Sequence, residues 1–430
     1  MAGHGELALG IDIGTNGVRV VAIDESARAV ARVARPMPLP RREGARAEQD
    51  PEVWWRALAA ALLALGSEIE LAGVRRIAVD GTSGTLLLID EAGQPLSAGL
   101  MYNDARGAEA ARRIAEVAPP ESGAHGPTSA LARLMTLLAA GVSSDVRYAV
   151  HQADWIAGRL AGRHGVSDEN NALKMGYDPV ARRWPDWIEA LGVPPAMLPA
   201  VREPGSSLGT IAPDTARQFG LPATAELRAG TTDGIAAFLA TGASAIGDAV
   251  TSLGSTLVVK VLAERPIFDP GFGVYSHRLG ERWLVGGASN TGGAALLAHF
   301  TAERMAALTP LLAPERPTGL DYYPLPARGE RFPIRDPEMT DVIEPRPADE
   351  AMFFQGLLEG IAKIEALAYR RLAELGAPAA RRILTVGGGA RNAAWTKIRR
   401  RHLEIPVSTA DETQAAYGTA RLARQGRPPA

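Results

Sequence analysis

The sequence predicts an α/β protein made of two sheet-containing domains, and three observations lead there. Short β-branched apolar runs alternate with longer stretches whose apolar residues recur at helical spacing. The same plan, a strand, a glycine-rich turn and then helices, begins near the N-terminus and begins again past the middle of the chain. A length of 430 residues is enough for two domains, each able to bury most of the surface its unfolded chain would expose.

In chain order, LALGIDIG and VRVVAID read as a hairpin across a Gly-rich turn. A helix follows over PEVWWRALAAALLALG, with Asp50 as N-cap, Pro51 at the first helical position and Gly66 as the stop. RRIAVDG and TLLLIDEAGQPL are two more strands, and helical and strand patterns then alternate to about residue 165. Residues 176–230, rich in Pro and Gly, read as irregular, before the helix pattern DGIAAFLATGA. The second series has strands in DAVTSLGSTLVVKVL and ERWLVGGAS, a helix in GGAALLAHFTAERMAAL and a Pro-rich connection over 310–350. It ends with the long helix FFQGLLEGIAKIEALAYRRLAELG, the strand RRILTV running into a glycine turn, and the helix ARNAAWTKIRRRHL. The boundary is expected near residue 244, giving domains 1–244 and 245–430.

Composition narrows the function classes. With 46% apolar and 22% charged residues the chain is neither disordered, collagenous nor a coiled coil as a whole. Forty-six Lys plus Arg against 48 Asp plus Glu, with no long basic stripe, argue against nucleic acid as a partner. The absence of cysteine excludes disulfides, thiolate nucleophiles and Cys-based metal sites. No stretch has the length and apolarity of a membrane helix, and the first residues lack a signal-peptide pattern, so a cytoplasmic protein without membrane contact is expected. His151 and His402 lack paired ligand spacing, and Arg399, Arg400 and Arg401 read as a solvated helix face.

Four glycine turns and one polar segment can carry chemistry. In Gly10-Ile11-Asp12-Ile13-Gly14-Thr15-Asn16-Gly17, backbone N–H groups, the Thr15 hydroxyl and the Asn16 amide can surround a phosphate, while Asp12 can hold Mg²⁺ directly or through water; Arg19 lies just beyond. No Gly-Lys-Ser/Thr follows, so it is not a P-loop, and by itself it is equally a plain hairpin turn. Thr251-Ser252-Leu253-Gly254-Ser255-Thr256 is a second candidate cradle, and alone would be a Ser/Thr-rich turn. Gly387-Gly388-Gly389-Ala390-Arg391-Asn392 opens a helix after a strand, where a nucleotide can lie. Gly230-Thr231-Thr232-Asp233-Gly234 puts a carboxylate at a helix start, placed either to take a proton from a substrate hydroxyl or to cap the helix. Met101-Tyr102-Asn103-Asp104-Ala105-Arg106 groups an amide, a carboxylate and a guanidinium suited to vicinal hydroxyls, or to a surface ion pair.

Taken in order and spacing, GIDIGTNGVRVVAID, VDGTSGTLLLIDEAGQPL, MYNDAR, AGTTDG, TSLGSTLVV and TVGGGARNAAW resemble the signature segments of the FGGY carbohydrate kinases, members of the actin-like ATPase superfamily, over roughly residues 7–425. The turn Gly81-Thr82-Ser83-Gly84-Thr85 is most similar to the small D-ribulose kinase or xylulose kinase-like subgroup. The resemblance implies two actin-like (ribonuclease H-like) domains with a central cleft, the first binding sugar and carrying the first phosphate loop, the second binding nucleotide. It implies ATP and Mg²⁺ as cofactors and a small-molecule sugar as partner, in a monomer or homodimer.

Carried over by position, Asp233 is the general base, Asp12 the Mg²⁺-associated carboxylate, and both lie where metal and substrate meet. Thr82, Ser83, Gly84, Thr85, Asn103, Asp104 and Arg106 face the sugar. Gly14, Thr15, Asn16, Gly17 and Arg19 form the first phosphate loop, and Gly254, Ser255 and Thr256 the second. Gly292 and Gly293 lie against the nucleotide, and Gly388, Gly389 and Asn392 hold the adenosine. Two departures are visible. Many relatives carry two hydroxyl residues where this chain has Asn16 and Gly17, and xylulose kinases have a Gln-Met-His turn where it has Thr82-Ser83-Gly84. The expected reaction is phosphorylation of a primary hydroxyl of a small ketose, D-ribulose first; D-xylulose, another polyol, or a non-catalytic sugar- or nucleotide-binding regulator are the alternatives.

Overall fold

The computed structural model describes residues 5–426, so the outermost residues of the expected domain limits lie outside them. It contains two compact units, each with a six-stranded mixed sheet; the first also holds a five-stranded antiparallel sheet and a two-stranded one. The first comprises the chain up to Ala240, the short segment His277–Gly280 and the segment from Gln414 onward; the second comprises Thr241–Ser276 and Glu281–Thr413.

In the first unit, Leu7–Ile13 runs antiparallel to Gly17–Ile23, which runs antiparallel to Ala29–Pro36. On the other side of Leu7–Ile13, Val74–Gly81 and then Glu226–Thr232 add in parallel, and Ser207–Thr210 closes the edge. Every residue of Leu7–Ile13 is buried, as a central strand covered on both faces requires, and this is why the strand reads as a nearly continuous apolar run. Helix Pro51–Glu68 buries Trp54, Leu58, Leu62 and Leu65, and Asp50 caps it by accepting the Glu52 N–H. It passes through Gly66 to end at Ile69: one interior glycine costs ~1 kcal/mol, less than the packed apolar face supplies.

The stretch expected to be irregular contains two of the six sheet strands. Gly230 is not in a turn but inside Glu226–Thr232, where a Cβ would stand 1.7 Å from the Val79 carbonyl oxygen and the pairing with Val74–Gly81 shifts register. A glycine at a strand irregularity marks close backbone approach, and sequence alone does not separate that from a turn.

The second unit repeats this arrangement. Asp248–Leu253 pairs antiparallel with Leu257–Ala263, and that strand with Arg282–Ser289. Arg382–Val386 adds in parallel to Asp248–Leu253, and Val407–Thr409 in parallel to Arg382–Val386. The helix expected over 292–308 is two, Gly293–Leu297 and Ala302–Leu308, the second capped by Thr301. Helix Glu350–Glu374 is capped by Asp349 as a single long element.

Two expectations need correction. Arg399 is not on a solvated face: its guanidinium is buried, donates to both carboxylate oxygens of the buried Glu365 (2.6 and 2.7 Å) and to the Thr385 hydroxyl. Glu365 also accepts from the Thr251 hydroxyl, so one ion pair ties two strands to two helices. The chain from 245 onward was assigned to one domain, whereas its last helix, Ala415–Gln425, packs on the sheet of the first unit. Its small face of Ala416, Gly418, Ala420 and Ala423 is what lets it approach so closely.

Asp248, at the start of the second unit's sheet, accepts N–H groups of Ser244 and Ala245 and two guanidinium bonds from Arg382, each at 2.7–2.9 Å. Burial opposes its charge, but these bonds prevail and its carboxyl titrates at about 2 instead of 3.8. With the folded-state value the lower one, the stabilisation is complete above the unfolded value and is lost as pH falls toward the folded one. Asp248→Asn should therefore cost roughly 1.5–3 kcal/mol in urea unfolding at neutral pH. The deficit should shrink as the pH approaches the folded-state value; one independent of pH would contradict the assignment.

Candidate active site

Three carboxylates stand at the C-terminal ends of adjacent parallel strands, the edge at which α/β sheets place their ligands. Asp12 lies opposite Asp80 across the pairing of Leu7–Ile13 with Val74–Gly81, and Thr231 lies opposite Asp80 on its other side. Asp233 follows that strand directly and opens helix Asp233–Ala240, its Oδ1 accepting the Gly234 N–H at 2.7 Å. Asp12 accepts from Arg19 at 3.1 Å; burial raises its carboxyl above the usual range, and Arg19 opposes that. Asp80 is fully buried, and burial followed by the Asp12 charge pushes it well above the usual range. The two carboxyls belong to residues directly opposite each other in the strand pairing, so each charge disfavours the other.

Beside them, the loop Gly14 to Gly17 is closed by the Gly14 N–H on the Gly17 carbonyl (3.0 Å) and anchored by the Met37 N–H on the Asn16 carbonyl (2.9 Å). Gly17 is required: a Cβ there would stand 2.8 Å from the Arg35 carbonyl oxygen. Thr15 is half-buried, Asn16 exposed and Arg19 half-buried, so the loop presents its polar groups outward.

The turn Thr82 to Thr85 is tied to the end of the first strand by the Thr82 N–H and hydroxyl, both on the Ile13 carbonyl, and to Gln152, whose Oε1 accepts the Thr82 N–H at 3.0 Å. Ser83 is half-buried; the Thr85 side chain is sealed from solvent. Asp104, expected to face sugar, is also sealed. It accepts from the Ala47 N–H and the Arg106 guanidinium, which outweigh the opposing effect of burial and hold its carboxyl below the usual range. Arg106 reaches on to Glu48 at 2.6 Å. Asp104 therefore acts by fixing the segment, leaving Asn103 and the outer edge of Arg106 as the groups able to meet a ligand.

Sequence reasoning missed Arg133, which joins the two segments. Its Nη1 donates to the Met101 carbonyl at 2.6 Å, and its Nη2 lies 2.9 Å from where a Gly84 Cβ would stand, with Gly84 at φ +82°. Burial lowers its pKa to about 10, against the pull of Asp104. An arginine on an otherwise apolar helix, ALARLMTLLA, was the available signal.

In the second unit, two of the glycine turns, those at Gly254 and Gly388, meet Gly293 in one cavity of about 410 Å³, within the ~300–1,000 Å³ range of small-molecule sites. Gly254, Ser255, Gly293, Gly388, Gly389 and Asn392 line it. Thr256 and Gly292 stand behind it: Gly292, at φ +139°, packs where a Cβ would be 2.7 Å from the Thr256 carbonyl carbon. The Gly293 and Ala294 N–H groups donate to the Gly254 and Ser255 carbonyls, locking loop to helix. Asn392 caps helix Ala393–Leu403 by accepting the Trp395 N–H at 2.9 Å. An apolar wall that sequence reasoning did not single out, including Leu296, Met305, Phe354, Leu358 and Trp395, supplies the surface a flat base needs, and Arg391 is a cation at its rim.

Among the described residues no cluster of three or more His, Asp or Glu side chains could enclose a metal ion. Mg²⁺ beside nucleotide phosphates and water needs only one or two protein carboxylates, a donor type that Asp12 and Asp233 supply. Among the described residues no helix is long and apolar enough to cross a membrane.

Residues 7–240 match the family model of the FGGY family of carbohydrate kinases, N-terminal domain, and residues 249–424 match its C-terminal domain. Xylulose kinase of Escherichia coli (strain K12) is 25% identical over 437 residues, covering 97% of this chain and 89% of the relative. Xylulose kinase of Streptomyces rubiginosus is 28% identical over 439 residues, covering 93% and 83%. The crystal structure of xylulose kinase from Rhodospirillum rubrum superposes with a TM-score of 0.86 at 24% identity, covering 98% of this chain and 90% of that one.

Proposed function

The chain belongs to the FGGY family of carbohydrate kinases and is an ATP-dependent sugar kinase using Mg²⁺; from its acceptor-side turn we propose that it phosphorylates a primary hydroxyl of a small ketose, D-ribulose before D-xylulose. The observation that carries the choice is Gly84. At φ +82°, with Arg133 occupying the place of a Cβ, this position accepts no side chain without strain, so the third residue of a Gln-Met-His turn has no counterpart here. The sugar is then read by Ser83, Asn103 and the backbone of the turn. D-xylulose remains the second reading because the curated relatives above carry that name.

Asp233 is proposed as the general base. It accepts the proton of the attacking hydroxyl as the oxygen closes on the γ-phosphorus, and its place at a strand end, half-buried, leaves the carboxylate accessible. Asp12 and Asp233, at the ends of strands on either side of the Asp80 strand, would hold Mg²⁺ with the nucleotide phosphates; when bound, the ion would neutralise charge that develops on the transferring phosphoryl group. Gly14 to Gly17 and Gly254 to Thr256 offer backbone N–H and hydroxyl donors to phosphates, and Gly388, Gly389 and Asn392 the floor for adenosine.

A panel of ketoses and polyols in a coupled ADP-release assay tests this reading. The expected outcome is Mg²⁺-dependent ADP release that is largest with D-ribulose, smaller with D-xylulose and smaller again with glycerol. A D-xylulose preference would move the acceptor assignment to the second reading, and no sugar-stimulated release across the panel would contradict the proposed acceptor class.

A further inference from the structure

The helix Ala415–Gln425 is seated on the first strand more tightly than side-chain packing allows. A Cβ on Gly10 would stand 2.0 Å from the Ala416 carbonyl oxygen, and one on Gly418 would stand 1.8 Å from the Ala236 carbonyl oxygen of the helix that Asp233 opens. The buried residues of this helix, Ala416, Gly418, Ala420, Leu422 and Ala423, are apolar, with one exception. Thr419 is completely buried, and its hydroxyl donates to Oδ2 of Asp80. Asp80 is equally buried, and no N–H or O–H donor reaches its Oδ1. A hydroxyl and a carboxyl enclosed in an alanine-rich contact are unfavourable by several kcal/mol unless each finds its partner, so packing alone gives no reason for either residue. Both are accounted for by what lies next in line: Asp12, directly across the strand pair from Asp80.

We propose that Thr419 and Asp80 are positioning residues of the phosphoryl-transfer site: the C-terminal helix fixes the Asp80 carboxyl through Thr419, and Asp80 fixes the orientation of Asp12. The inference rests on the reading of Asp12 as the carboxylate that supports Mg²⁺. Its consequence is that a helix at the far end of the chain from Asp12 is part of the floor of that site. Partners behind a ligating side chain set its orientation, and their loss lowers metal affinity or activity by ~10–100-fold.

Thr419→Val, nearly isosteric, removes only the hydroxyl; Thr419→Ser restores it; Asp80→Asn carries the same test if the valine variant does not fold. For each, kcat, KM for ketose and ATP, and the Mg²⁺ concentration for half-maximal activity are measured, together with calorimetric ADP affinity with and without Mg²⁺. Thr419→Val should lower kcat and raise the Mg²⁺ requirement by ~10–100-fold. KM for the ketose and metal-free ADP affinity should hold, the Mg²⁺-dependent gain in ADP affinity should fall, and Thr419→Ser should recover most of the loss. Wild-type kcat and Mg²⁺ response in Thr419→Val would overturn the proposal, as would a loss that extends equally to metal-free ADP binding and is not recovered by serine. If the wild type turns over no sugar, the kinase reading of the acceptor fails, and the calorimetric Mg²⁺ response still decides the positioning role.

Discussion

Asp233→Asn is expected to lower kcat by ~10²–10⁴-fold while leaving the affinity for ADP nearly unchanged. The substitution separates the two roles that a carboxylate at a helix start can have. Asn serves at a helix N-terminus about as well as Asp, so a residue that only stabilised helix Asp233–Ala240 would tolerate it with little effect on stability or rate. An amide has no basic lone pair of comparable strength, so a residue that takes a proton from the acceptor hydroxyl does not tolerate it. The nucleotide cavity is lined from other segments, Gly254 to Ser255, Gly293 and Gly388 to Asn392, so ADP titration by calorimetry should give the wild-type constant. A variant that keeps near-wild-type kcat would leave Asp233 as a helix-start residue and move the base elsewhere.

The largest expected effect on stability is at Arg399. Replacing it with Leu leaves the Glu365 carboxyl in a sealed site without its guanidinium partner, a change that costs about 3–5 kcal/mol. In the second unit this should lower the melting temperature by roughly 6–20 °C. The pair Arg399→Leu with Glu365→Leu should be more stable than Arg399→Leu alone, because the buried carboxyl left without its guanidinium is gone. Thr251 and Thr385, which bond to this pair, lie in the strands that run into the Gly254 and Gly387 turns. Loss of the network should therefore weaken ADP binding in the single variant before unfolding begins. Differential scanning calorimetry with and without ADP measures both effects; a single variant as stable as the wild type would show that the pair contributes nothing beyond its apolar replacement.

Much of this organisation was legible in the sequence. The hairpins stand out because largely buried central strands leave mostly apolar runs such as LALGIDI and LVVKVLA. The glycine turns stand out because each follows such a run, and two of them, at Gly254 and Gly388, do converge on the cavity of the second unit. What was not legible depends on contacts between distant segments. Asp80 closes an apolar strand and looks like ordinary polar punctuation until Asp12 is set across from it. Thr419 is one hydroxyl in an alanine-rich helix, and nothing in its neighbourhood announces a carboxyl 339 positions away. Arg399 sits in a run of three arginines, and nothing in that run shows that it is the buried one, paired with the buried Glu365. Gly230 reads as a turn because a glycine demanded by a neighbouring carbonyl carries the same letter as one demanded by a positive φ.

The fate of the γ-phosphoryl group tests the central claim most directly. Incubating the protein with Mg²⁺, D-ribulose and ATP labelled with ¹⁸O at the γ-phosphoryl, and following the products by mass spectrometry and ³¹P NMR, should show one labelled phosphate monoester on the terminal carbon of the ketose for each ADP formed. Release of labelled inorganic phosphate with the sugar unchanged would contradict it, since the site would then deliver the phosphoryl group to water instead of to a sugar hydroxyl.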